Sequence, residues 1–240
     1  MNSHTSSFRR ANRGFTLVEM IIASSITIAV FGALVPYMVR ALKLFYADQL
    51  QLNLNADARN FRNLVFSDAL KANMFFLYSD FASRSTGSGA SAADAMLTGN
   101  GAAGDCLVLI SSSPDASNHG FAKASNITVY YRDVTYATGP LHRVSVPIPS
   151  SANVYVTANP LNVYQIMNTY VPVSGLATNP TIIQVTNGLV PGTGTAQCLF
   201  YGYRNSNVNN ASVMIQAQVT EKGNLQTIGN IFNFTVSPRG

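Results

Sequence analysis

The sequence has few charged residues, three histidines, two cysteines and no tryptophan. Charged side chains make up 10% of the 240 residues, whereas an average soluble domain has roughly 25%. Asparagine, serine and threonine therefore supply much of the polar surface, which suits an exported β-rich domain better than a cytosolic enzyme. The chain has no G-x-S-x-G, H-E-x-x-H or P-loop motif, so we expect no hydrolase, metalloprotease or nucleotidase activity.

The net charge of +5 does not indicate a nucleic-acid-binding surface, because much of it is local to the N-terminus. Arg9, Arg10 and Arg13 are three of the 15 basic residues, and without them 12 basic residues face 10 acidic ones. The remaining basic residues are scattered. They form no cluster that could neutralise several neighbouring phosphates.

Two alternatives remain open for the cysteines. Cys106 and Cys198 each begin an apolar, strand-like segment, and no C-x-x-C or Cys/His spacing suggests zinc. In an exported domain they could form a disulfide, which would contribute about 4–5 kcal/mol by closing a long loop. Otherwise they are two buried thiols.

The sequence predicts no metal or cofactor site. We expect His119 and His142 to be ordinary surface residues, since each lies in a turn-like or strand-edge context. Calcium sites need several clustered oxygen ligands, but the aspartates of the exported part stand singly, among them Asp105, Asp115 and Asp133.

An apolar stretch follows a basic N-terminal segment. Residues 1–14 contain no acidic residue, and Met20–Val39 contains 20 residues without a charge. As a helix this run is about 30 Å long, enough to cross a bilayer. The preceding positive charge favours a cytoplasmic N-terminus and an exported remainder. A secretory signal is the alternative, but its apolar region is usually about 7–15 residues and ends at a better cleavage site than Val30–Gly32 or Phe31–Ala33.

Glu19 is an acid at the start of this apolar helix. One interpretation places it in the headgroup region, where the positive end of the helix stabilises it. The other is functional, because acids within membrane segments usually have a role.

Gly14, Phe15, Thr16, Leu17 and Glu19, placed between a basic leader and a long apolar run, resemble the type IV prepilin signature. The resemblance implies that a prepilin peptidase cuts between Gly14 and Phe15 and methylates the new amine of Phe15. It also implies that Glu19 accepts the ammonium of Phe15 from a neighbouring subunit. Pro36 lies where pilin-like subunits often carry a helix-disrupting proline, so a kink or a melted turn is expected there.

The helix is expected to continue beyond Arg40, because apolar residues recur every three or four positions. These residues are Leu50, Leu54, Ala58, Phe61, Val65, Ala69, Ala72 and Phe76. The helix should end between Phe81 and Arg84, before a Ser/Gly-rich stretch. The predicted organisation is a leader at 1–14, a transmembrane helix at 15–40, an amphipathic extension at 41–84, a flexible linker at 85–104 and an exported β-rich domain at 105–240.

Alternation of apolar and polar residues predicts an antiparallel sheet after the linker. Strands are expected at 106–110, 127–131, 141–146, 181–186, 197–203, 213–219 and 232–236. Glu221-Lys-Gly-Asn is predicted as the last hairpin turn, whereas 147–180 gives no clear pattern. The predicted fold class is α+β and pilin-like, with one long N-terminal helix packed on an antiparallel sheet.

The resemblance implies a structural subunit of a type IV filament system in the bacterial inner membrane, with its C-terminal domain periplasmic or extracellular. Its implied partners are prepilin peptidase, other pilin or pseudopilin subunits and an inner-membrane assembly platform. The length of the exported part favours a minor subunit. The order of elements is similar to the J-type minor pseudopilin of type II secretion. The alternatives are a minor or tip pilin that binds a surface or DNA, and an unrelated single-pass protein with an anchored outer domain.

Overall fold

The computed structural model describes most of the chain from Phe15 onward. The described residues are 15–86, 93–97, 100–114, 122–132, 139–156, 160–173, 183–191, 198–204, 211–222 and 227–237. The predicted leader, including Gly14, lies outside them.

The described part contains one long helix and a short one, together with twelve strands. The helices are α1 (Leu17–Lys71) and α2 (Pro160–Tyr170), and a 3₁₀ turn spans Ser150–Ala152. The strands are β1 (Met74–Tyr78), β2 (Ser85–Thr86), β3 (Ala93–Asp94), β4 (Ala102–Gly104), β5 (Cys106–Pro114), β6 (Ala122–Arg132), β7 (Gly139–Pro147), β8 (Tyr155–Val156), β9 (Ile183–Pro191), β10 (Phe200–Arg204), β11 (Ala211–Lys222) and β12 (Thr227–Val236).

The predicted α+β class is confirmed. The chain divides within α1 into two compact units, 1–48 and 49–240. The second unit holds the last turns of α1, a ten-stranded antiparallel sheet and the two-stranded sheet β2–β3. The large sheet has the order β1-β5-β6-β7-β9-β11-β10-β4, with β12 paired to β11 and β8 paired to β6.

The predicted end of the long helix was wrong. α1 ends at Lys71, and the aromatic segment Met74–Tyr78 forms β1 instead of a further helical turn. Asn73 makes the turn: its N–H donates to the Ile110 carbonyl and its side chain accepts from the Ser112 N–H. Four consecutive residues of β1 are buried, so sheet pairing and burial on both faces outweigh the helical spacing of Ala72 and Phe76.

Part of the predicted linker also forms strands. β2 and β3 pair with each other, and β4 pairs with β10 through Ala102–Gly202 and Gly104–Phe200. A single residue, Asp105, separates β4 from β5. β4, the last strand of the sheet path, and β5, the second strand from its other end, are therefore parts of one chain segment.

Gly104 allows this segment to approach β1 closely. A Cβ atom at this position would lie 2.0 Å from the carbonyl oxygen of Tyr78. The backbone of β1 cannot move away without losing its pairing with β5, so only glycine fits here.

The other strand predictions hold with shifted bounds. β5, β6, β7, β9, β10, β11 and β12 lie at the predicted places. Glu221 and Lys222 belong to β11 and pair with Ile228 and Thr227, so they are not part of a turn as predicted, and Gly223 and Asn224 lie outside the described residues. The segment without a clear pattern contains the 3₁₀ turn, β8 and α2.

The sheet has a core on each face. One core joins α1 to the sheet: Leu54, Phe61, Val65 and Ala69 are buried against residues of β1, β5, β6, β10, β11 and β12. Burying a side chain of the size of Leu or Phe contributes about 1.5–3 kcal/mol. On the other face, α2 packs Val163, Ile166 and Met167 against alternate residues of β5 and β6, so each strand contributes to both cores.

Candidate functional site: the N-terminal part of the long helix

α1 begins with a reciprocal hydrogen-bond pair between Thr16 and Glu19. The Glu19 Oε2 atom accepts from the backbone N–H of Thr16 at 2.9 Å and from its hydroxyl at 3.1 Å. The Thr16 hydroxyl in turn accepts from the Glu19 N–H at 3.2 Å. This is a capping box, in which two backbone donors without helical partners are satisfied. The signature residues therefore have a local role in starting the helix.

The side chains that follow are apolar and exposed. Phe15 is 82% exposed, and large hydrophobic residues remain exposed from Leu17 to Tyr46. A window of this helix has a mean hydropathy of 2.1, which makes α1 long and apolar enough to cross a membrane. A signal sequence can have the same length and apolar composition, so the helix by itself indicates a candidate span.

The few hydroxyl groups of this segment bond within the helix. Ser24, Ser25 and Thr27 donate to the carbonyls of Ile21, Ile22 and Ala23 at 2.7–2.9 Å. Such back-bonding removes the need for water or another partner. These residues are therefore compatible with an apolar surrounding.

Pro36 does not interrupt α1, which runs as one α-helix from Leu17 to Lys71. The expected melted turn is therefore wrong, and a kink at Pro36 stays a prediction. Proline removes only its own N–H donor, and the remaining backbone bonds of a 55-residue helix keep the local conformation.

Comparison with known families decides the nature of this segment. Residues 9–35 match the family model described as the prokaryotic N-terminal methylation motif. The chain carries a type IV prepilin-like signature. This signature implies processing by a prepilin peptidase and assembly with other pilins, and together with the apolar helix it is compatible with a single-pass membrane anchor. Searches among curated proteins and among solved structures found no match.

The predicted site residues belong to different elements of the fold. Phe15 and Glu19 lie at the start of α1, whereas Cys106 begins β5 and Cys198 precedes β10. The cysteines are not joined by a disulfide. Cys106 is fully buried in the core under α2, and burial raises its pKa to about 12. In this fold the Cys106 thiol is buried and unreactive, and its pairing with Cys198 stays a prediction.

A buried polar triad between α1, β6 and β7 was not predicted. Asp68 Oδ2 accepts from the Tyr130 hydroxyl at 2.6 Å and from Arg143 Nε at 2.7 Å, and Oδ1 accepts from Arg143 Nη2 at 3.1 Å. Burial and the Asp68 hydrogen bond raise the pKa of Tyr130, and the same carboxylate raises the pKa of Arg143. The triad fixes the last turns of α1 on the sheet. In the sequence, the position of Asp68 along the apolar face of the helix was the one signal that could have indicated a buried acid.

Asp105 forms a second buried ion pair where β4 meets β5. Its Oδ2 accepts from Arg132 Nη2 at 2.6 Å and its Oδ1 accepts from the Leu199 N–H at 2.9 Å. Its own N–H donates to the Ser79 carbonyl. A single side chain and its backbone thus connect β1, β6 and the start of β10. The sequence showed Asp105 only as an isolated acid.

A third feature is a stack of planar groups. The Arg84 guanidinium lies 4.2 Å from the centre of the Phe81 ring, Phe81 stacks on Tyr131 at 4.1 Å, and Tyr131 stacks on His142 at 5.0 Å. Arg84 is 1% exposed and donates to the Val171 carbonyl at the end of α2. Burial lowers the pKa of Arg84. The expectation that His142 is a surface residue is corrected: it is half-buried because β7 places it opposite Tyr131. His119 lies outside the described residues.

Within the part of the chain that the structure describes, no three His, Cys, Asp or Glu side chains come together as metal ligands. The polar groups that do cluster are paired with one another in Asp68–Arg143 and Asp105–Arg132. Their arrangement suits the positioning of α1 and the sheet segments.

Proposed function

We propose that this chain is a structural, minor subunit of a type IV filament system. A prepilin peptidase removes residues 1–14 and methylates Phe15, and the subunit then assembles through the N-terminal part of α1. The observation that carries the proposal is the match of residues 9–35 to the N-terminal methylation motif, at the start of an exposed apolar helix.

The geometry of Glu19 supports a second role for this residue besides capping. Both side-chain bonds found for it in the described residues go to Oε2. Oε1 can therefore accept another donor while the capping box stays intact. Cleavage after Gly14 converts the Phe15 nitrogen into an ammonium group, which is costly to bury alone in an apolar helix bundle. Pairing with Glu19 of a neighbouring copy offsets that cost and favours one axial register.

The first test is the N-terminus of the protein in the membrane fraction, measured by mass spectrometry in cells with and without the peptidase. We expect a chain that begins at Phe15 with a methylated amine, and an intact leader when the peptidase is absent. A leader retained in both strains, or a cut beyond Val30, would contradict the processing step.

The second test separates the two roles of Glu19. Glu19→Gln keeps the capping box, because glutamine serves at this position as well as glutamate, but it removes the negative charge. We expect Glu19→Gln chains to be processed and inserted into the membrane and yet to fail in filament assembly. Assembly is measured as the amount of subunit recovered in filaments sheared from cells that overexpress the system. Glu19→Ala should fail in the same way. If Glu19→Gln chains form filaments normally, Glu19 acts only as a helix cap and has no role in assembly.

We favour a secretion pseudopilus over a pilus as the machine. The support is the order of the elements, a long helix followed by an antiparallel sheet that ends in two long strands, β11 and β12, which is similar to the J-type minor pseudopilin of type II secretion. Deletion of the gene should then block export of folded substrates while surface pili persist. Loss of pili with normal secretion would favour the alternative of a minor or tip pilin.

A further inference from the structure

A short part of α1, residues 40–48, carries the first charges after Glu19, and we call it the collar. Arg40, Lys43 and Asp48 are exposed. The preceding uncharged run, Met20–Val39, is already long enough to cross a bilayer. The collar nevertheless has four large apolar side chains that are 60–67% exposed: Leu42, Leu44, Phe45 and Tyr46. Contiguous apolar surface beyond the length that a bilayer covers marks an interaction surface.

The charges of the collar cannot pair within their own helix. Asp48 follows Lys43 by five residues and Arg40 by eight, whereas side chains meet on a helix when they are three or four residues apart. In the part of the chain that the structure describes, both ion pairs consist of other residues. Partners for the collar charges must therefore come from another molecule or from solvent.

The spacing of these charges repeats the spacing of the proposed assembly contact. In one helix Glu19 lies four residues beyond Phe15, about 6 Å, and Asp48 lies five residues beyond Lys43, about 7.5 Å. Copies in a repeating assembly are related by one movement, so the same axial shift applies to every residue of the helix. The shift that brings Phe15 level with Glu19 of a parallel copy therefore brings Lys43 nearly level with Asp48. Arg40 lies about 12 Å before Asp48 and fits this shift less well.

The helix also places the two acids on one side. Asp48 follows Glu19 by 29 residues, which is about eight full turns. Lys43 follows Phe15 by 28 residues, which is about 7.8 turns, so these two lie within a quarter turn of each other. A neighbour that presents Glu19 to the amine of Phe15 therefore presents Asp48 on the same side, where the long lysine side chain can meet it.

We propose that Lys43 of one copy pairs with Asp48 of a second, parallel copy, so that the collar forms a second contact that fixes the axial register. This inference rests on the proposed filament function, because Phe15 and Glu19 supply the axial shift. The contact is head-to-tail and repeats from copy to copy. Parallel copies keep both N-terminal spans in one membrane, and the neighbouring helix covers the exposed apolar side chains of the collar.

The test is charge reversal in two full-length chains that carry different tags, with assembly measured as subunit recovered in sheared filaments. Lys43→Asp alone and Asp48→Lys alone should each lower recovery about fivefold or more, because like charges then face each other at every contact. Expressed together, the two variants should reach about half of the parent recovery or more, with both tags in one filament, since alternating copies restore unlike pairs. Asn168→Lys on the exposed face of α2 is the matched control and should leave recovery unchanged.

Each other outcome overturns the proposal. If the single variants assemble like the parent chain, the collar makes no register contact. If expression of both variants together does not restore assembly, the collar charges meet lipid phosphates or a different protein instead of a second copy. An equal loss with Asn168→Lys means that the effect is one of charge alone. Mass spectrometry of the N-terminus shows that each variant is inserted and processed before assembly is measured.

The same experiment distinguishes failure of this inference from failure of the proposed function. A parent chain that is processed and assembles, while both single reversals are harmless, leaves the filament function standing and makes the collar contact wrong. A parent chain that forms no filaments contradicts both.

Discussion

Replacing Asp68 by alanine is the sharpest test of how the long helix is held on the sheet. The substitution leaves the Tyr130 hydroxyl and the Arg143 guanidinium without the carboxylate that bonds both. Removing one partner of a buried ion pair costs about 3–5 kcal/mol. The Arg143 side chain retains 16% exposure, so we expect a value near the lower limit, about 3 kcal/mol. Urea unfolding of the full chain in detergent, followed by circular dichroism, measures it.

Two further variants distinguish the loss of the Asp68–Arg143 attraction from the cost of leaving the Arg143 charge unpaired. Asp68→Ala combined with Arg143→Met should recover part of the loss, because the second change removes the uncompensated charge. Asp48→Ala, an exposed aspartate on the same helix, should change the free energy of unfolding by less than about 0.5 kcal/mol. If Asp68→Ala costs no more than Asp48→Ala, the triad does not hold the helix and the reasoning is refuted.

Three other predictions concern the sheet and its core. Gly104→Ala should lower the stability by about 3 kcal/mol, because the added Cβ overlaps the Tyr78 carbonyl of β1. Gly202→Ala should change it by less than about 1 kcal/mol, because its Cβ would lie 3.7 Å from the nearest neighbour. Thermal unfolding measures both variants. Asp105→Asn should lower the free energy of unfolding by about 2–3 kcal/mol, because it weakens the bond to Arg132 while the bond to the Leu199 N–H persists. A lower unfolding temperature would show this loss. Between about pH 9 and pH 12 the thiol of Cys106 should lower stability by up to about 1.4 kcal/mol per pH unit, because burial raises its pKa from 9.0 to about 12.

The sign of the pH effect follows from proton binding. Above pH 9 the unfolded thiol loses its proton and the folded one keeps it, so alkali favours the unfolded state. Cys106→Ala should reduce this slope but not abolish it, because the pKa of Tyr130 is also raised in the fold. An unchanged slope would contradict the assignment to Cys106. Equal costs for the two glycine variants would show that the close approach at Gly104 is relieved elsewhere. An unaltered unfolding temperature for Asp105→Asn would mean that the charge of Asp105 is unnecessary.

The sequence predicted the features that depend on local pattern. The apolar span and the strands β5, β6, β7, β9, β10, β11 and β12 follow from composition, spacing or alternation. The sequence showed Thr16 and Glu19 only as residues of the prepilin-like signature, and their capping pair was not predicted. The end of α1 was missed because Ala72 and Phe76 fit the helical period, while pairing with β5 is a long-range effect. The partners of Asp68 and Asp105 lie 27–94 residues away along the chain, so neither pair could be found without the topology.

The joining of β4 and β5 through Asp105 has a consequence for biogenesis. β4 can pair only when β10 is present, and Phe234 and Val236 of the last strand complete the core over α1. Contacts this distant along the chain make folding slow, because much loop entropy is lost before they form. If the domain is exported as the proposed function requires, the core face of α1 stays uncovered until nearly the whole domain has crossed the membrane. A nascent chain that stalls before β12 exposes that face, which makes it a substrate for chaperones and proteases.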